Sequence, residues 1–294
     1  GQSYRFRETG GVVMDFAVTT RADIEKLSVE RVVEHLSYVD KALRALRKEL
    51  GDQTALIGFS GSPWTLATFM MEGASVPKYG RALALFREDP QTYFALAEKL
   101  TAAVTAYLKM QIAAGVDALQ IFDSHGGHVA AAEFQEASGR WMREIVAQIS
   151  KSAVSRVSKP ADGSPSHADL EVGDTAGFET CATCQRVPTI VFSLGTHSNW
   201  DDLINTGANV IGIDWQFSLA EARRLLPANV GLQGNLPPAL LSDATPETVM
   251  SETTRLLEVM RGRKGYIFNL GHGLTPGAKL ENIAALVEAV KGFQ

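Results

Sequence analysis

The sequence predicts an α/β fold built on a parallel sheet, on three observations. Six short apolar runs recur along the chain, each closes on glycine or polar residues, and helix-length amphipathic segments separate them. Strands separated by helices of this length must run parallel, because a crossover helix returns the chain to the same edge of the sheet. In chain order, residues 1–16 read as an irregular or hairpin-forming lead-in and residues 21–50 as one or two helices ending in the charged ALRALRKEL stretch. The first apolar run is ALIGFSGSP (55–63). A long helix follows over 90–115, with Pro90 at its start, Asp89 beside it and Gly115 as its stop. Its apolar residues Phe94, Leu96, Leu100, Val104, Leu108 and Ile112 recur every three to four positions, which gives one face to pack on a sheet. The remaining runs are VDALQIFDSHGG (116–127), VPTIVFSLGTHS (187–198), ANVIGIDWQ (208–216), NVGLQGNLPP (229–238) and GYIFNLGHG (265–273). Helices are predicted between and after them over 132–150, 219–226, 246–262 and 279–292.

With 294 residues, 45% of them hydrophobic, the chain can bury a large core, and one domain over 1–294 is the expectation. Residues 151–186 stand apart, rich in Ser, Gly, Pro, Asp and Thr, and read as a solvated, flexible insertion. The net charge of −5 is spread along the length, so neither nucleic acid nor an anionic membrane is an expected partner. No apolar run approaches the roughly 18 residues that a spanning helix needs. Two cysteines, Cys181 and Cys184, are too few to staple a chain of this size, which points to a reducing compartment, the cytoplasm.

Ligands of parallel α/β folds gather at the C-terminal ends of the strands. The residues there are Ser60, Ser62, Asp123, Ser124, His125, Ser193, Asp214, Gln233, Asn235, Asn269 and His272. Each alone could cap a helix, and Asp214 and Asn235 taken singly read best that way. The set as a whole, accompanied by Gly58, Gly61, Gly126, Gly127, Gly195, Gly234, Gly271 and Gly273, reads as a mouth where a ligand approaches the backbone. Trp64, Phe69, Phe122, Trp215 and Phe268 give it aromatic walls suited to a large, flat, partly apolar ligand. No GxGxxG follows a strand and no GxxxxGK[ST] occurs, which argues against hydride and phosphoryl transfer. His125 and His128 form an HxxH pair and Cys181 and Cys184 a CxxC, but neither has a partner set at ligand spacing. No metal is expected.

Five motifs, GFSGSPWTLATFMMEG (58–73), GVDALQIFDSHGGHV (115–129), GANVIGIDW (207–215), LQGNLPP (232–238) and YIFNLGHG (266–273), resemble the uroporphyrinogen decarboxylase family in order and spacing. The resemblance covers nearly the whole chain outside 151–186. It implies a (β/α)8 TIM barrel, a homodimer, and cofactor-free decarboxylation of the four acetate side chains of uroporphyrinogen III to give coproporphyrinogen III. It assigns substrate binding to Ser124, to His272 in the LGHG loop, and to the position of Phe69, where the family usually carries a tyrosine. Asp123, His125, Asp214 and Asn235 are expected as further mouth residues. Residues 1–27 resemble the segment that follows the family's arginine-rich loop and pyrrole-binding aspartate. The first two barrel strands and that catalytic segment are therefore expected to be absent from this chain, which leaves Asp123 or Asp214 as stand-in carboxylates. Two other readings belong beside this one. An inactive or truncated tetrapyrrole-binding paralogue would keep the mouth and lose the chemistry. A zinc- and cobalamin-dependent methyltransferase of the same superfamily would need a His-x-Cys motif where this chain has Ser193-Leu194-Gly195.

Overall fold

The alternation of apolar runs and amphipathic segments produces the expected parallel sheet. In a computed structural model, which describes residues 2–8, 11–76, 78–151, 153–154 and 185–293, the lead-in is an antiparallel hairpin of β1 (Tyr4–Phe6) and β2 (Val12–Met14), paired Tyr4 to Met14. Helices α1 (Arg21–Glu25), α2 (Val32–His35) and α3 (Ser37–Leu50) follow. The expected one or two helices over 21–50 are thus three, because Leu36 leaves the helical region between the second and third. Next come β3 (Ile57–Gly61), α4 (Pro63–Glu72), α5 (Gly80–Glu88), α6 (Pro90–Ala113), β4 (Ala118–Asp123) and α7 (Arg140–Ile149). The two-residue strands β5 (Ala153–Val154) and β6 (Gln185–Arg186) pair antiparallel. The insertion between them, with Cys181 and Cys184, lies outside the described residues. The chain continues through β7 (Thr189–Ser193), α8 (Trp200–Ile204), β8 (Val210–Gly212), α9 (Leu219–Leu225), β9 (Gly231–Gln233), α10 (Leu240–Asp243), α11 (Pro246–Met260), β10 (Tyr266–Ile267) and α12 (Leu280–Gly292).

Strands β3, β4, β7, β8, β9 and β10 form one sheet in chain order, every neighbouring pair parallel, so each crossover adds its strand on the same side. This is the winding of a (β/α) barrel. Side chains alternate across it. Leu119 and Ile121 of β4, Val191 of β7, Ile211 of β8 and Leu232 of β9 are fully buried in the main core, against α6, α7, α9 and α11. Their neighbours Gln120, Phe122, Phe192 and Gln233 point to the concave side and line a cleft there. Among the described residues no further strand joins this sheet. Its edges are β3, where Phe59 is 60% exposed, and β10, where Ile267 is 37% exposed.

A second apolar cluster holds α4, α5 and α6 together around Trp64, Tyr93, Phe86 and Trp141. Helix α4 shows complete end signals. The Ser62 hydroxyl accepts from Thr65 N–H, Pro63 occupies the first turn, and Gly73 takes a left-handed φ of 73° just beyond the last residue. Trp64, placed on the aromatic wall by the sequence reading, is instead fully buried in this cluster. Phe268 likewise packs on the main core.

Candidate active site

Alternation in β4 and β9, together with the loop after β10, sets the composition of the cleft at the C-terminal ends of the strands. Its volume is about 430 Å³. Phe122, Phe192, Ile213, Leu270 and Leu274 form apolar walls. Gln120 and Gln233, only 4% and 3% exposed, are the most buried polar groups of the lining and exchange hydrogen bonds of 3.0 and 3.3 Å between their amides. Ser124, Asn269 and His272 supply the outer polar groups. His272 is the one titratable side chain in this lining, exposed and set edge-on to Trp215 at 5.7 Å and to Phe192 at 6.4 Å. The Ser124 hydroxyl has no hydrogen-bond partner among the described residues and is free for a ligand. Two of the three assigned binding residues, Ser124 and His272, therefore meet in one cleft.

Phe69 does not line that cleft. It sits on α4 with its ring 4.8 Å from His125 and 6.2 Å from Tyr79. His125 is buried on the far side of Ser124, its Nδ1 2.6 Å from Thr68 Oγ1 and its Nε2 2.8 Å from Tyr79 Oη. Burial, aided by the nearby His128, lowers its pKa to about 4, so the imidazole is neutral at physiological pH. The HxxH pair gathers no ligand set, and no group of three metal-binding side chains occurs among the described residues.

The two stand-in carboxylates lie away from the cleft lining. Asp123 is fully buried: its Oδ1 accepts from the Ser62 and Thr65 hydroxyls at 2.7 and 3.1 Å, and its Oδ2 from Ser193 at 2.8 Å. Burial pushes its carboxyl above the usual carboxylate range against the pull of these donors. It thereby ties together the strand ends of β3, β4 and β7. Asp214, 2% exposed, accepts from Gly195 N–H and Gln216 N–H at 2.8 Å each and pairs with His197 Nε2 at 2.8 Å. Asn235 donates to the carbonyls of Asp214 and Phe217 at 2.8 and 2.7 Å. These three polar residues brace the loops that carry the mouth, and none of them lines it.

The glycines have protein neighbours more often than open mouth. A Cβ at Gly271 would collide with the backbone of Trp215, and Gly271 N–H donates to Leu236 O at 2.8 Å. A Cβ at Gly126 would overlap the Ser193 hydroxyl and the Asp123 carboxylate. Only at Gly273, beside His272, is the space open, within the cleft lining. The bare backbone around His272 thus serves loop-on-loop packing on one side and the cleft on the other.

Residues 1–293 match the family model described as uroporphyrinogen decarboxylase (URO-D). The chain belongs to the uroporphyrinogen decarboxylase family. A relative named uroporphyrinogen decarboxylase from Pseudomonas fluorescens is 39% identical over 290 residues, 99% of this chain and 73% of the relative. Relatives of the same name from Ectopseudomonas mendocina and Alkalilimnicola ehrlichii are 38% and 37% identical, with 73% and 71% of their lengths covered. Among solved structures, a methyltransferase from Methanosarcina mazei superposes with a TM-score of 0.72 at 15% identity, over 99% of this chain and 75% of that one. A putative vitamin-B12-independent methionine synthase from Listeria monocytogenes gives 0.52 at 12% identity, over 86% and 67%. At such identities these two establish the barrel fold alone. The family's decarboxylase members, not the methyltransferases, share this chain's sequence.

Sequence reasoning passed over Gln120, although LQIFD places it between two core residues on the opposite face of β4. Period-two alternation was the available signal. Tyr79 and Thr68, by contrast, meet His125 only through tertiary packing, and no local pattern announces that meeting.

Proposed function

We propose that this protein decarboxylates the acetate side chains of uroporphyrinogen III to give coproporphyrinogen III, without metal or organic cofactor, in tetrapyrrole biosynthesis. The observation that carries the reading is a decarboxylase-family match along residues 1–293, supported by the meeting in one cleft of Ser124 and His272, the two residues that the motif resemblance assigns to substrate. The reaction needs little from a protein beyond placement and protons. Protonation of a pyrrole α-carbon creates an iminium-like electron sink. The bond from the acetate methylene to its carboxylate then breaks, its electron pair passes to the ring, and carbon dioxide leaves. A proton added to the exocyclic methylene, with loss of the first from the ring carbon, leaves a methyl group. The net change is one proton taken up per carbon dioxide released.

In the cleft, the Phe122 and Phe192 rings suit the flat pyrrole faces, while the Ser124 hydroxyl and the His272 imidazole donate to side-chain carboxylates. The reading includes a homodimer in the cytoplasm. No helix among the described residues is long and apolar enough to cross a membrane, which accords with that location.

The test is anaerobic incubation with uroporphyrinogen III, with products separated by carboxyl number. Coproporphyrinogen is expected from the unaltered protein, and Ser124→Ala and His272→Ala should each lower kcat/KM by about tenfold to a thousandfold. A folded protein that binds the substrate and releases no carbon dioxide would overturn the enzymatic reading in favour of an inactive binding paralogue.

A further inference from the structure

Ser124 is a residue whose hydroxyl has no partner among the described residues, set between two residues that are held on every side. Asp123 on one side is held by three hydroxyls, those of Ser62 and Thr65 at the start of α4 and of Ser193 at the end of β7. His125 on the other side is held at every polar atom. Its N–H donates to Thr65 Oγ1 at 3.3 Å, and its carbonyl accepts from Trp64 Nε1 at 3.0 Å. The ring spans Thr68 and Tyr79, with the Tyr79 ring centroid 4.0 Å away and the Phe69 ring closing another side.

The direction of these bonds follows from counting hydrogens. Thr68 has one hydroxyl hydrogen, and it goes to Thr65 O at 2.7 Å. The hydrogen between Thr68 and His125 must therefore sit on Nδ1. Nε2 is then the acceptor, and Tyr79 Oη–H donates to it. This is a single neutral tautomer with no spare donor or acceptor, in keeping with an imidazole whose burial disfavours the charged form. Tyr79 is itself 7% exposed, just ahead of α5, so the chain of bonds runs from one segment through the β4 loop to α4. None of its members lines the cleft, and the residue they immobilise is next to the one that does.

We propose that the Tyr79–His125–Thr68 chain, with the Asp123 clamp, positions the Ser124 hydroxyl in the cleft, and that Tyr79 is a positioning residue for the reaction. This rests on the functional reading above. A loop residue held on both flanks keeps its hydroxyl in one place without using any hydrogen bond of its own, which is what a donor reserved for substrate requires.

A double-mutant cycle tests it: kcat/KM on uroporphyrinogen III for the unaltered protein, Tyr79→Phe, Ser124→Ala and the double variant. Tyr79→Phe keeps the ring and removes one hydrogen bond, so its fold is checked by thermal midpoint and near-ultraviolet circular dichroism. The expectation is a loss of about tenfold for Tyr79→Phe in the presence of Ser124, and no further loss in the Ser124→Ala background. Losses that multiply would show that Tyr79 acts independently of Ser124 and would overturn the proposal, as would a Tyr79→Phe protein with full activity. If the unaltered protein forms no coproporphyrinogen, the functional reading fails by itself, and the same four proteins titrated with uroporphyrin decide the positioning claim from Kd. Non-additive losses of affinity would support it, and additive losses or absence of binding would overturn it.

Discussion

His125 is a histidine that cannot easily take a second proton where it sits. Its Nε2 already accepts from Tyr79, its surroundings exclude water, and its pKa falls to about 4 from an ordinary 6.5. Between those two values the unfolded chain binds more protons than the folded one, so stability rises with pH across that interval and levels off above it. Lowering the pH from 6.5 toward 4 should therefore remove between roughly 1 and 3 kcal/mol through this residue alone. Other groups titrate in the same range, so the measurement is a difference. Urea midpoints of the unaltered protein and of His125→Gln are followed from pH 7 to pH 4, and the variant should show the shallower decline. Equal slopes would mean that His125 is neither desolvated nor neutral in the native protein. The functional sense of the residue agrees with its chemistry: an imidazole this reluctant to charge is suited to hold a loop.

At the scale of an element, β3 shows how a helix can complete a strand. Gln111 of α6 is 2% exposed and reaches Phe59 with both ends of its amide, Oε1 accepting from Phe59 N–H and Nε2 donating to Phe59 O, each at 2.9 Å. Gly58 leaves the room, since a Cβ there would overlap Gln111 Oε1. The amide stands where the next strand of a ladder would, and satisfies one residue of the β3 edge. Gln111→Leu should cost about 2 kcal/mol and speed amide exchange at Phe59, which proton-exchange mass spectrometry reads; unchanged exchange would assign the bond to packing alone. The six strands were legible because each lies in a short apolar run ending in glycine or a polar group, as in TIVFSLG. Helix α4 went unassigned although Ser62, Pro63 and Gly73 mark both of its ends. Gln111 was not legible at all. A glutamine inside an amphipathic helix reads as surface, and only the approach of β3 to α6 turns it into a backbone partner. The same limit separated Ser124 and His272, found through their motifs, from Thr68 and Tyr79, whose role exists only in three dimensions. Asp123 and Asp214 were found and assigned to the wrong side of their loops, because a polar strand end announces a hydrogen bond without saying to what.

Across the whole molecule the Gln120–Gln233 pair has the widest reach. Strands β4 and β9 are separated in the sheet by β7 and β8, so the reciprocal amides join opposite walls of the concave face beneath the cleft. Each glutamine uses one N–H and one carbonyl lone pair on the other. Replacing one of them leaves the other buried without its partner, whereas replacing both leaves nothing unsatisfied. Gln120→Leu and Gln233→Leu should thus each destabilise the fold by about 1–3 kcal/mol, while the double variant should lie well above the sum and near the unaltered protein. Urea unfolding of the four proteins measures the coupling. Additive losses would mean that each amide is served by other partners, water among them, and that the walls are joined by packing rather than by this pair. Activity should separate from stability in the double variant. Its core would be intact, but two leucines in place of two amides would remove the most buried polar groups of a cleft whose proposed ligand carries carboxylates on every ring, so turnover should fall while the unfolding midpoint recovers.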